Sequence, residues 1–172
     1  MKPIFLIISW LILLIPFAVL AYFYNSLANE ILITRSFFGN EAVFAPKTLF
    51  TVFRVPLIEI VCAAAIELMR RNSANENADY YSMWSILLYT VALKSLFQAF
   101  EIVSSGDSAK LFYYFTFAVV IVGIISALLK GRSYFSNLFR GNSKFNYLEK
   151  AILLAILLAY VGLAMVPIFI FG

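Results

Sequence analysis

Charged and amide side chains interrupt two long apolar stretches of this sequence. One stretch contains Arg54 and Glu59, and another contains Lys94, Gln98 and Glu101. Ionisable groups are costly inside a membrane, so they usually face the interior of a helix bundle, where they pair or line a path for an ion or a polar ligand. These five residues are therefore the candidates for a buried polar site.

The spacing of these residues predicts how two helices bring them together. Lys94, Gln98 and Glu101 follow one another at intervals of four and three, which places them on one helical face. Two neighbouring helices that are joined by a short loop pack antiparallel. In such a pair, residues at equal depth have residue numbers that add up to the same sum. By this rule Glu59 lies at the depth of Lys94, and Arg54 lies at the depth of Glu101. We therefore predict two interhelical ion pairs.

Three roles are open for these buried charges. They could fix the register of neighbouring helices, line a path for a polar ligand or ion, or contact a partner subunit. Arg54 and Glu59 point about 140° apart around a helix, so both reach one neighbour only if it packs between those directions. We interpret Glu67, which lies beside Arg70 and Arg71, as an interfacial charge with little function of its own.

The composition excludes several kinds of catalytic and metal site. The chain has no histidine and a single cysteine, Cys62, so His-ligated zinc or haem, a Ser-His-Asp triad and a cysteine cluster are all excluded. Lys94 and Ser95 do not suggest a Ser-Lys dyad, because adjacent helical residues point about 100° apart. We expect no enzyme activity, no metal and no cofactor.

The hydrophobic content predicts an integral membrane protein. The 172 residues are 63% hydrophobic and 13% charged, with a mean hydropathy of +0.93, whereas soluble domains are about 25% charged. Apolar runs of about 20 residues predict spanning helices. We predict an all-α bundle of five transmembrane helices in one domain, residues 1–172, with spans at about 3–23, 48–69, 81–103, 111–129 and 151–171. The first run is too long for a typical signal peptide, so we expect a retained span.

The distribution of basic residues predicts the orientation of the chain. Eight lysines and arginines fall in the segments on one side of the predicted spans, and three fall on the other side. Because cytoplasmic loops carry the excess of positive charge, we expect the N-terminus inside and the C-terminus outside. The connection 25–47 is then an outer loop, and the connection 130–150 is a basic inner loop.

The inner loop carries candidate contacts to the membrane surface. Its basic residues alternate with aromatic ones, which is typical of segments that contact anionic lipid headgroups. The candidates are Lys130, Arg132, Arg140 and Lys144. The same charges also fit a plain topology loop, and no nucleic-acid recognition motif is present, so we expect no nucleic-acid partner.

Small residues predict close contacts between helices. Gly123 and Ala127 are four residues apart in the fourth span, and Ala151, Ala155, Ala159 and Gly162 form a stripe in the fifth. Such spacing lets helix backbones approach closely. We favour packing within one chain over the formation of a homodimer.

The outer loop carries signals of local structure and a spaced set of residues. The run of β-branched residues at 31–34 predicts a short extended stretch, and Gly39 begins a turn signal. Five positions, Leu27, Ile31, Gly39, Lys47 and Pro56, match the pattern Leu-Pro-x-x-Ile-Pro-x-His-Phe-Asn, then Gly, then Lys, then a span with a proline. In these residues the outer loop resembles a segment found in a family of bacterial multi-span membrane proteins of unknown function. The sequence departs from the family pattern at other positions. Ala28 and Leu32 replace its two prolines, Thr34 replaces its histidine, and Ser36 replaces its asparagine.

The resemblance implies a bacterial envelope protein, because the family includes the immunity protein against a sporulation-delaying toxin peptide. The outer-loop binding candidates are Leu27, Ile31, Arg35, Gly39 and Lys47. Our first hypothesis is a non-enzymatic protein of the bacterial cytoplasmic membrane that binds a partner protein, peptide or lipid. The alternative is a small transporter or ion-conducting subunit that uses the buried charges. Besides the lipid bilayer, a membrane protein partner or a larger complex is possible.

Overall fold

Four long helices and one β-hairpin form the described part of the molecule. The computed structural model describes residues 3–35, 42–73, 78–104 and 106–132. In chain order the elements are α1 (Pro3–Phe23), a 3-10 turn (Tyr24–Ser26), β1 (Glu30–Arg35), β2 (Ala42–Pro46), α2 (Leu49–Ser73), α3 (Ala78–Val103) and α4 (Gly106–Lys130). All four helices are long and apolar enough to cross a membrane. They match the first four predicted spans, whereas the predicted fifth span, 151–171, lies outside the described residues.

Helix α2 begins where the sequence supplies a cap. The Thr51 amide donates a hydrogen bond to the Thr48 hydroxyl (3.1 Å), and the Thr48 amide donates one to the Thr51 hydroxyl (2.8 Å). This reciprocal arrangement satisfies backbone amides that the first turn of a helix leaves without partners. The Thr51 hydroxyl also donates to the carbonyl of Pro46 (2.8 Å), so the cap joins β2 to α2.

Helix α3 is the centre of the bundle. It packs against α1, α2 and α4, and α1 also packs against α2. Because successive helices run in alternate directions, the hairpin lies at the end where α1 and α3 finish and where α2 and α4 begin. We call this the hairpin end and the other the far end. The central position of α3 explains why this helix can carry Lys94, Gln98 and Glu101 on one face, because α3 meets protein on three sides.

The buried apolar side chains form two clusters that are stacked along the bundle. The hairpin-end cluster contains Leu20, Ile31, Val52 and Ala99. The far-end cluster contains Leu13, Ala63, Ile66, Met69, Tyr80, Met83, Trp84, Leu88, Val91, Ala92 and Ala127. Helices α1, α2 and α3 each contribute to both clusters, so the residues between the two clusters define a middle level of the bundle.

Two antiparallel strands, which we call the hairpin, lie between α1 and α2, and the all-α prediction did not include them. Strand β1 pairs with β2 from Glu30 opposite Pro46 to Arg35 opposite Ala42, with an irregularity between Leu32 and Thr34. The extended stretch predicted at 31–34 is confirmed, whereas its partner strand β2 was not predicted. The predicted turn at Gly39 lies outside the described residues.

Close packing of α4 on α3 depends on two glycines. A Cβ atom at Gly123 would lie 2.8 Å from Cβ of Thr90 and closer still to both branches of that side chain. A Cβ atom at Gly131 would meet the Met83 side chain and would lie 3.1 Å from the Ala127 carbonyl. The small residues predicted at 123 and 127 therefore serve contacts within one chain.

Candidate functional site

A buried ion pair joins α2 to α3. The Lys94 ammonium donates a hydrogen bond to Oε1 of Glu59, and a second one to Oε1 of Gln98 (3.0 Å). Glu59 is only 2% exposed, and the Lys94 side chain is 16% exposed. This is the first of the two predicted pairs, and the depth rule located it correctly because α2 and α3 are antiparallel neighbours.

The pair lies far from both ends of its helices. Glu59 follows the first residue of α2 by ten positions, which corresponds to about 15 Å along the helix axis. The hydrocarbon core of a bilayer is about 30 Å thick, so this depth is near its middle. Charges at such a depth are retained only where protein groups replace water, as Glu59 and Gln98 do for the Lys94 ammonium.

The second predicted pair lies towards the hairpin end. Glu101 is buried at 8% exposure, and Arg54 is half-buried. Both side chains are therefore withdrawn from the surface of the bundle. Their contact with each other stays a prediction.

An additional charge cluster lies at the far end, where we had expected an interfacial charge. Arg70 donates from Nε to Oε2 of Glu67 (2.6 Å) and from Nη2 to Oε1 (2.7 Å), and its guanidinium lies 4.6 Å from the ring centroid of Tyr81. Arg71 donates from Nε to the same carboxylate (2.8 Å). Glu67 and Arg70 are each only 6% exposed.

Glu67 is therefore a buried, paired charge near the end of α2, and its place at the membrane interface stays a prediction. Its carboxylate pairs with two arginines of α2, which leaves the cluster with a net charge of about +1, and Tyr81 extends the cluster to α3. The sequence contained a usable signal, because Arg70 and Arg71 follow Glu67 by three and four residues, the spacing at which helical side chains meet. The sequence did not show that Tyr81 of α3 packs on Arg70.

Three of the outer-loop candidates hold the hairpin on the bundle. The Lys47 ammonium donates to the carbonyls of Leu27 (3.0 Å) and Tyr24 (3.3 Å) and lies 5.4 Å from the centroid of the Tyr24 ring. The Lys47 amide donates to the Asn29 carbonyl (2.7 Å). Ile31 is 2% exposed in the hairpin-end cluster, and Leu27 packs against that cluster. These residues position the hairpin.

The remaining candidates are at the ends of elements or outside the described residues. Arg35 is the last residue of β1, and Gly39 lies outside the described residues. At the far end, Lys130 and Arg132 are exposed, as contact with lipid headgroups requires. Arg140 and Lys144 lie outside the described residues.

The described residues hold no group of three or more His, Cys, Asp or Glu side chains that could bind a metal ion. Comparison of the chain with protein-family models, with curated proteins and with solved structures finds no match. The resemblance of the outer loop to a bacterial family therefore stays a hypothesis, and function must be argued from the geometry.

Proposed function

We propose that the protein is a non-enzymatic protein of a bacterial cytoplasmic membrane that binds an extended segment of a partner protein or peptide at the hairpin end. In this proposal the N-terminus is inside, the hairpin is outside, and the helix bundle is the scaffold that holds it. The observation that carries the proposal is the attachment of the hairpin to the bundle by Lys47 and Ile31.

The attachment fixes the hairpin before any partner arrives. Lys47 binds two carbonyls of the segment that directly follows α1, and the Thr48–Thr51 cap joins β2 directly to α2. A surface held in this way loses little conformational freedom on binding, which favours affinity. A loop that served only to connect two spans would need neither a partly buried lysine that bonds two carbonyls nor a buried isoleucine.

The hairpin has the features of a strand-binding surface. In the described part of the chain its sheet has two strands, and the outer edge of such a sheet can pair with an added strand. Phe44 in β2 is 51% exposed and supplies an apolar contact beside that edge. An extended peptide would gain backbone hydrogen bonds from β2 and a side-chain contact from Phe44.

The interior of the bundle supports binding over conduction. A conducting path needs charged groups that water can reach, whereas Glu59 is 2% exposed and is neutralised by Lys94. The transporter alternative rests on one oxygen of Glu59, Oε2, which has no hydrogen-bond partner among the described residues. Flux of protons or monovalent cations into liposomes that contain the protein would favour this alternative if it required Glu59.

The binding proposal is tested by photo-cross-linking in native membranes. A photoreactive phenylalanine analogue at position 44 should give one discrete adduct, and the same analogue at Ile124, which is 44% exposed on α4, should give none of that size. In mild detergent, the Phe44→Asp variant should fail to copurify the partner that the photoreactive analogue captures. Tyr22→Ala is the matched control, because Tyr22 is 82% exposed near the same end.

The result that would contradict the proposal is equally specific. If positions 44 and 124 gave the same adducts, or if Phe44→Asp retained the partner as well as Tyr22→Ala did, then the hairpin would not be the binding surface.

A further inference from the structure

The level between the two apolar clusters contains polar groups on α2 and α3. On α2, Glu59 lies between Val52 of the hairpin-end cluster and Ala63 of the far-end cluster. On α3, Ser95 lies between Ala92 and Ala99 in the same way. Ser95 is 0% exposed and Glu59 is 2% exposed, so both are sealed inside the bundle.

Each of these residues has a polar atom that the described residues do not satisfy. Oε2 of Glu59 and Oγ of Ser95 are buried and have no hydrogen-bond partner among them. Ser95 differs from other hydroxyl residues of the spans: Ser85, Thr90 and Thr116 each donate to the carbonyl four residues earlier, at 2.8–2.9 Å. A buried ion pair is stable only when its remaining lone pairs are also satisfied.

Helix α1 brings a further polar group to the same level. Pro16 is fully buried and lies between Leu13 of the far-end cluster and Leu20 of the hairpin-end cluster. A proline inside a helix has no amide hydrogen, so the carbonyl of Ile12 lacks the helical hydrogen bond that residue 16 would otherwise donate. That carbonyl is an additional acceptor near the middle level.

We infer that the middle level is a binding site for a water molecule, held between Oε2 of Glu59 and Oγ of Ser95. The Ser95 hydroxyl donates to the water, and the water donates one hydrogen to Glu59 and the other to the Ile12 carbonyl. Internal waters typically make two to four such bonds to buried polar groups. The water replaces the hydration that Glu59 loses at this depth.

The charge at this level selects water over a cation. Lys94 already neutralises Glu59, so the site has no net charge to hold a sodium ion. Its groups are two acceptors, the Glu59 carboxylate oxygen and the Ile12 carbonyl, and the Ser95 hydroxyl, which can donate or accept. They match a neutral ligand that both donates and accepts. A cation would have to displace Lys94 from Glu59.

Radiolytic hydroxyl-radical labelling tests the inference, because radicals that form from a bound water oxidise the side chains around it. Cys62 is one helical turn from Glu59 and is 6% exposed, so it is the reporter. We expect Ser95→Val to slow the oxidation of Cys62 several-fold. Ser85→Ala is the matched control, because the Ser85 hydroxyl donates to its own helix, and it should leave the rate unchanged.

Two further measurements keep the inference falsifiable if Ser95→Val does not fold. An experimental structure of the wild-type protein should show water density within hydrogen-bonding distance of both Glu59 Oε2 and Ser95 Oγ; a protein group bonded to both atoms would overturn the inference. Replacing N-methylglucamine by sodium should leave the Tm unchanged. A sodium-dependent rise in Tm that Glu59→Gln abolishes would show a cation site instead.

Discussion

At the scale of single residues, the contact between Glu59 and Lys94 makes each residue depend on the other. Removing one partner of a buried pair leaves the other charge uncompensated and typically costs about 3–5 kcal/mol. We therefore expect Glu59→Lys and Lys94→Glu each to lower the Tm in detergent strongly and to reduce the yield of folded protein. The double reversal should recover most of the loss, because it restores opposite charges at one depth.

A double reversal no better folded than either single variant would show that the pair does not stabilise the bundle as a unit. The control is the same reversal at Lys110 and Asp107, which form an exposed pair at 3.2 Å. Exposed pairs contribute about 0–1 kcal/mol, so this control should leave the Tm nearly unchanged.

The Glu67 cluster makes a second prediction at the residue scale. Arg70→Lys keeps the charge but loses the two parallel hydrogen bonds to the carboxylate and the stacking on Tyr81. We expect a loss of about 1.5–3 kcal/mol in the free energy of unfolding, measured by denaturation in detergent. Arg71→Lys should cost much less, since the Arg71 side chain is 72% exposed, and equal losses would contradict this explanation.

At the scale of elements, the contact between α3 and α4 depends on the absence of a side chain at position 123. A methyl group there would overlap the Thr90 side chain, which is β-branched and therefore stiff. We expect Gly123→Ala to destabilise the bundle by about 1–3 kcal/mol, the usual range for overpacking.

The matched control for this prediction is Val122→Ala, because Val122 is 62% exposed on the neighbouring position of α4. Thermal unfolding of both variants in one detergent gives the comparison. If Gly123→Ala were as stable as Val122→Ala, α4 would be free to move away from α3 at little cost.

At the scale of the whole molecule, the prediction concerns which side of the membrane each end faces. With Cys62→Ser as the background, single cysteines replace Phe44 in β2 and Lys130 at the end of α4, both exposed. A membrane-impermeant thiol reagent applied outside intact cells should label position 44 and not position 130. In permeabilised cells the reagent should label both positions. Labelling of position 130 in intact cells would reverse the proposed orientation.

Much of this arrangement follows from the sequence by itself. The length of the apolar runs was enough to predict the four described helices, because a helix needs about 20 apolar residues to span a bilayer. The pairing of Glu59 with Lys94 followed from the short connection between two spans, which forces them to be antiparallel. Hydrophobicity and chain connectivity act locally, so the sequence reveals them directly.

Only the tertiary structure decided how these groups are used. Lys47 was a candidate for binding, but its ammonium reaches carbonyls twenty or more residues away and holds the hairpin in place. Glu67 is only 6% exposed and pairs with Arg70, which packs on Tyr81 of α3. In the sequence Ser95 is only a neighbour of Lys94, whereas in the structure it lies fully buried between the two apolar clusters. Burial and hydrogen-bond partners depend on which helix faces which, and that is a property of the packed bundle that residue spacing within one helix does not determine.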